Sequence, residues 1–174
     1  MATLDKPRLD EFLQGSSIIA ILATLDRRQH PYLIPVWYEW DGSAIWIISK
    51  PRAEYVKNLK RNAYAAVSIA TSTLPYVRVL IQGRAQLIET DQDWLPMGFR
   101  MAERYLGKKE GRAYIDKTKD WKRLYIKLKP TRILSWDGGA SGHAWGKKYI
   151  QRAPRAPSGV ASGAVSALGD GSRA

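Results

Sequence analysis

The sequence predicts a mainly β fold with interposed helices, an antiparallel barrel of six or seven strands. Three observations predict it. Short runs rich in Ile, Val, Tyr and Trp recur at strand length, as in Ile18 to Leu25 and Ala44 to Ser49. Asp41-Gly42 stands between two such runs, which is a strong short-range hairpin signal. The turns between runs are short, so neighbouring strands are antiparallel and a parallel α/β sheet is disfavoured.

The elements follow in order. Lys6 to Gln14 has Leu9, Phe12 and Leu13 on one helical face and Gly15 as a stop. Ile18 to Leu25 is apolar throughout and reads as a strand buried on both faces, ending at the polar turn Asp26 to Gln29. Tyr32 to Trp40 and Ala44 to Ser49 form a hairpin closed by a type I′ turn at Asp41-Gly42. Pro51 fits the first turn of a helix through Asn62, along which Lys50, Arg52, Lys57, Lys60 and Arg61 cluster. A helix start with that charge is a plausible phosphate seat. Ala65 to Thr71 is a strand, Ser72 to Pro75 a loop, and Tyr76 to Glu89 a long strand in which Gly83 marks a bulge. Thr90-x-x-Asp93 resembles a capping box for a helix from Trp94 to Leu106, ended by Gly107. Lys108 to Lys119 is charged and irregular, with one helical turn at Ala113 to Asp116. Leu124 to Leu128 and Arg132 to Trp136 are two final strands separated by Pro130.

The chain of 174 residues suits one barrel domain over residues 1–150. From Gln151 the composition shifts to Ala, Gly, Ser, Pro and Arg, which predicts a disordered tail over residues 151–174. The absence of cysteine excludes disulfides, thiolate metal sites and cysteine nucleophiles, and fits a cytoplasmic protein. The N-terminal MATLDKPRLDEFLQGS has no long apolar run, so neither a signal peptide nor a membrane span is expected. Lys plus Arg exceed Asp plus Glu by 28 to 16, a formal charge of +12 that favours anionic partners. No nucleophile elbow, zinc-protease, P-loop or dinucleotide-binding pattern occurs, and His30 and His143 have no obvious catalytic companion. No catalytic residue and no metal ligand set is therefore assigned, and any reactivity has to come from a cofactor.

The order and spacing of the pieces carry a resemblance. The hydrophobic strand and polar turn LATLDRRQ, the Pro-Val-Trp strand, the Asp-Gly hairpin, Pro-Arg-Ala before Asn-Leu with a basic pair, and RVLIQGRA together resemble the FMN-binding split-barrel family related to pyridoxamine 5′-phosphate oxidase, deazaflavin-dependent members included. The similarity covers roughly residues 16–90, with a weaker echo at Ile133 to Gly139. It implies a six-stranded antiparallel split barrel that forms a homodimer, with FMN, or alternatively the deazaflavin coenzyme F-420, in clefts between subunits. By that resemblance Ile34, Pro35, Val36 and Trp37 run along the isoalloxazine ring. Ser49, Arg52 and Lys57 hold the phosphate, Arg78 stands at the ring, and Trp136 approaches the cofactor of the other subunit.

The sequence also departs from the family. Arg52 is followed by Ala53, Glu54 and Tyr55 where many relatives carry a second cation, and GHAWGKKY lacks the His and Arg set that reads pyridoxal. The expected activity is thus a flavin- or deazaflavin-dependent oxidoreductase with a small organic substrate other than pyridoxamine phosphate. Two other classes stay open: a basic barrel that binds single-stranded nucleic acid through aromatics and charge, and a non-catalytic barrel that binds haem through His30 or His143.

Overall fold

The computed structural model describes residues 3–91 and 93–139. The predicted boundary near residue 150, the tail over residues 151–174 and His143 lie outside the described residues. Helix α1 (Lys6–Gly15) is followed by strands β1 (Ala20–Leu25), β2 (Pro31–Val36), β3 (Glu39–Trp40) and β4 (Ile45–Ser49). Helix α2 (Glu54–Arg61), strands β5 (Tyr64–Ala70) and β6 (Val77–Thr90), helices α3 (Leu95–Leu106) and α4 (Lys108–Thr118), and strand β7 (Arg123–Asp137) complete the order. The strands form one seven-stranded antiparallel sheet in the order β2-β1-β5-β6-β7-β4-β3.

The long strands β6 and β7 hold the sheet together. One half of β6 pairs with β5, and the opposite end of β7 pairs with β4. Between the halves the register shifts at Gln82/Gly83, where the sequence places a bulge. A Cβ on Gly83 would lie 2.0 Å from the Lys129 carbonyl oxygen, so only glycine allows the two backbones to meet. Pro130 sits opposite Gly83, where the ladder is already interrupted, so β7 continues through it as one strand instead of the two predicted. Leu22, Ile45, Ile47, Ile69, Ile81, Ile126 and Leu128 fill the interior, with Leu9 and Leu13 of α1 and Val56 and Leu59 of α2 packed onto it.

Other expectations are corrected. Strand β1 has one inward face, Ala20, Leu22 and Thr24, while Ile21 is 37% exposed, so it is not buried on both sides. The segment Tyr32 to Trp40 is two strands, because at Trp37 and Tyr38 the chain leaves β1 and crosses to β4 at the far edge of the sheet. There the backbone has side-chain partners: Tyr105 accepts from the Tyr38 amide and Arg104 Nη2 donates to the Tyr38 carbonyl. In the hairpin turn only Gly42 has positive φ, at +89°, while Asp41 accepts from Ser43 and Ala44, so the glycine-first pattern replaces type I′. Helix α2 begins at Glu54, three residues beyond Pro51.

Thr90 ends β6, and α3 starts behind Trp94 without a side-chain cap, so Thr90 and Asp93 form no capping box. Residues 108–118, expected to be irregular apart from one helical turn at Ala113 to Asp116, form the whole helix α4. Gly111, Ile115 and Thr118 give it one buried stripe against α3 while its charges face water. Trp94, Ala102, Ile115 and Tyr125 form a second apolar cluster joined by Trp37, Trp46 and Ile48. This cluster fixes the α3-α4 pair beside the end of β2.

Candidate functional site

Two clefts take lining residues from the connection between β4 and α2. The first is about 530 Å³ and is lined by Ile19, Pro35, Val36 and Trp37 on one side and Ile48, Tyr55, Leu106 and Tyr114 on the other. Its walls are apolar and aromatic, and its size is that of a cofactor or small-molecule site. Trp37 stacks on Tyr105 with centroids 5.2 Å apart and rings 4° from parallel, and it meets Tyr114 edge-on at 5.6 Å. The two helices therefore hold the indole in place as a wall. The Ser49 hydroxyl is buried and hydrogen-bonds Tyr55 Oη at 2.8 Å and the Lys50 carbonyl at 3.2 Å. Tyr55 lines the cleft, and Ser49 lies behind it, bonded to its hydroxyl.

The second cleft, about 480 Å³, is lined by Lys50, Pro51, Arg52, Trp121 and Lys122. Lys50 Nζ lies 4.6 Å over the Trp121 ring. This places an ammonium on an aromatic face beside the exposed Arg52, a surface suited to an anion.

The predicted site residues fall into three groups. Pro35, Val36 and Trp37 line the aromatic cleft, whereas the Ile34 side chain packs against the interior. Arg52 lies in the basic cleft. Lys57 is turned to its own helix and pairs with Glu54 at 2.9 Å, so its charge is already matched. Arg78 and Trp136 are cross-strand neighbours, with the guanidinium 5.0 Å over the indole. The ladders Ala70↔Arg78, Ile21↔Ser68 and Ala20↔Val36 place Arg78 at the same end of the sheet as Trp37, with β1 and β5 between them. His30 sits in the β1-β2 turn, mostly exposed, with Nδ1 3.6 Å from Asp26, and lines neither cleft.

Sequence reasoning missed Leu106, Tyr114, Trp121 and Lys122. The first pair comes from helices whose docking on Trp37 is a tertiary contact. The second pair had a signal, the aromatic-basic run Trp121-Lys122-Arg123 just before a strand.

Residues 5–137 match the family model described as pyridoxamine 5′-phosphate oxidase. The chain belongs to the pyridoxamine 5′-phosphate oxidase family. Solved structures agree on the fold of this family member. A conserved hypothetical protein from Mycobacterium tuberculosis superposes with a TM-score of 0.69 at 25% identity, covering 80% of this chain and 88% of that one. An F420 reductase gives a TM-score of 0.58 at 22% identity, covering 71% and 94%. The haem storage protein of Vibrio cholerae gives 0.58 at 16%, covering 76% and 95%. Among curated proteins none matches the chain in sequence. Among the described residues no helix is long and apolar enough to cross a membrane, and no group of His, Cys, Asp and Glu could hold a metal ion. The family's barrel is present with seven strand segments instead of six, because the chain breaks at Trp37.

Proposed function

We propose that this protein is an FMN-dependent oxidoreductase that works as a homodimer on a small organic substrate other than pyridoxamine phosphate. The observation that carries the reading is the single connection from Ile48 to Tyr55, which contributes Ile48 and Tyr55 to an aromatic cleft and Lys50 and Arg52 to a basic one. A flavin mononucleotide has the same two halves, a flat apolar ring and a phosphate close to dianionic. When bound, FMN supplies the hydride or electron chemistry. The chain's own residues bind and shield it: Pro35, Val36 and Trp37 with Tyr55 and Tyr114 exclude water from the ring, and Lys50 and Arg52 neutralise the phosphate.

The dimer reading rests on the outer face of the sheet. Alternation and register place Ile21, Leu33, Ser68, Leu80 and Leu134 on one face. Leu33 is 61% exposed and Leu134 42%. An apolar sheet face of this kind is covered in water-soluble proteins, here by a second copy. Arg78 and Trp136 stand on the same face, so the reading assigns them to a groove that two copies share.

The deazaflavin coenzyme F-420 is the second reading. Lys50, Arg52 and Lys122 on one cleft offer more cationic charge than a single phosphate needs. Titration of cofactor-free protein with FMN and with the deazaflavin, followed by quenching of cofactor fluorescence, tests both. Micromolar binding of one of them is expected. Arg52→Ala should weaken it about tenfold, the scale of one charged hydrogen bond, with the melting temperature unchanged. Protein that binds neither cofactor refutes the oxidoreductase reading, and an unaltered affinity in Arg52→Ala refutes the phosphate assignment.

A further inference from the structure

The end of the β6-β7 ladder holds a feature that the FMN reading does not use. Thr90 and Arg123 are cross-strand partners in the last rung, a spacing that sets their Cβ atoms about 4.5–5.5 Å apart. Arg123 is 93% buried by its 7% relative exposure, and its Nε has no hydrogen-bond partner. The hydroxyl of Thr90 is also buried and without a partner. A buried guanidinium Nε and a buried hydroxyl on one rung, both without a partner, are costly, and folded proteins supply such groups with an acceptor.

Among the described residues no carboxylate forms an ion pair with Arg123. Its guanidinium lies 5.4 Å over Trp94 and 5.2 Å over Trp121, so two aromatic faces flank the charge. Glu89, Asp91 and Asp120 line the surrounding cleft of about 460 Å³ but lie on its exposed rim, and no ion pair among the described residues joins them to Arg123. Lys119 and Lys122 line the same cleft, and Lys50 shares the Trp121 ring with Arg123. Two cations on one indole favour an anion between them, while the exposed carboxylates of Glu89, Asp91 and Asp120 balance charge at the cleft mouth.

We infer that Thr90 and Arg123 form an oxyanion subsite, in which one carboxylate or phosphate group accepts from Arg123 Nε–H and the Thr90 hydroxyl while Trp121 and Lys122 flank it. Such a group could belong to the molecule that reacts in the neighbouring cleft or to the cofactor itself. The chemistry is shared, and binding at this subsite does not depend on the flavin reading.

The test is a titration of the full chain with sodium phosphate at fixed ionic strength, with chloride exchanged for phosphate. Arginine Nε–Hε resonances and the melting temperature are followed together. One resonance, missing from the spectrum of Arg123→Lys, should shift saturably, and the protein should melt at a higher temperature. Thr90→Val should raise the phosphate midpoint at least threefold and Arg123→Lys at least tenfold. Drift of many resonances without saturation, or the same midpoint in both variants, overturns the subsite, since the two groups are then satisfied by water only. If Arg123→Lys fails to fold, Thr90→Val decides alone, and an unchanged midpoint there overturns the inference. Repetition on FMN-loaded protein separates the sources: phosphate that still binds assigns the subsite to the reactant, and phosphate that competes assigns it to the cofactor. Protein that binds phosphate here but neither cofactor keeps this inference and loses the oxidoreductase reading.

Discussion

Gly111→Ala puts two physical effects of opposite sign on one residue. Gly111 lies inside α4, where alanine is favoured over glycine by about 1 kcal/mol in an isolated helix. Propensity alone therefore predicts a more stable protein. The structure predicts the reverse, because an added Cβ would lie 2.6 Å from the carbonyl carbon and oxygen of Ala102 and from the amide nitrogen of Glu103. These are backbone atoms in the middle of α3, and no rotamer change can move them aside. Reaching ordinary contact near 3.4 Å requires α4 to retreat by roughly 0.8 Å, which loosens the close packing around the buried Ile115. Overpacking of this kind costs about 1–3 kcal/mol, and a rigid obstacle belongs at the upper end. The net loss is then about 2 kcal/mol, and for a domain of this size a fall in melting temperature of about 4–8 °C. Urea unfolding of the wild type, Gly111→Ala and the solvent-facing control Ala113→Gly provides the assay. The control should lose only the propensity term, about 1 kcal/mol. A Gly111→Ala protein that gains what Ala113→Gly loses would refute the reasoning. Because Leu106 and Tyr114 wall the aromatic cleft, the same variant should also bind its cofactor less tightly.

Further outcomes follow from other contacts. Burial raises the Asp41 pKa, but hydrogen bonds from Trp46 Nε1, from the Ser43 hydroxyl and from the Ala44 and Ser43 amides outweigh it and bring the group to about 2 from 3.8. The folded state thus gains stability that is complete above pH 4 and is lost as pH falls through about 2. Urea midpoints measured at several pH values should fall less steeply over that window in Asp41→Asn than in the wild type. Asn58 is fully buried, donating to Thr24 Oγ1 at 3.1 Å and accepting from Arg61. Asn58→Ala should cost about 1–3 kcal/mol by leaving the buried Thr24 hydroxyl unpaired, and adding Thr24→Val should recover part of that loss in the same unfolding assay. Leu33→Lys combined with Leu134→Glu should turn a dimer into a folded monomer in sedimentation velocity. A variant that remains dimeric places the interface elsewhere.

Much of the fold was legible because its signals are local. The apolar runs, the glycine after Asp41 and the glycine at the bulge report backbone needs that a few neighbouring residues express. The same holds for the basic segment after Ser49, whose position next to an aromatic strand pointed to a cofactor. The site was read less completely, since Leu106 and Tyr114 lie about seventy residues from Trp37 in sequence, and Ser49 turned out to spend its hydroxyl on Tyr55.

By itself the sequence determined the sign of the charge, the absence of cysteine chemistry, the antiparallel class and the segment from Pro35 to Arg52 around which both clefts are built. The tertiary structure alone decided that the strand breaks at Trp37, because only the arrival of Arg104 and Tyr105 satisfies the Tyr38 backbone there. It also decided that residues 108–118 are helical, since a charged, glycine-containing segment gains its helix from packing against α3 and not from propensity. And it alone brought Thr90 beside Arg123, for cross-strand register is a property of two long strands meeting at a bulge, which no local pattern encodes.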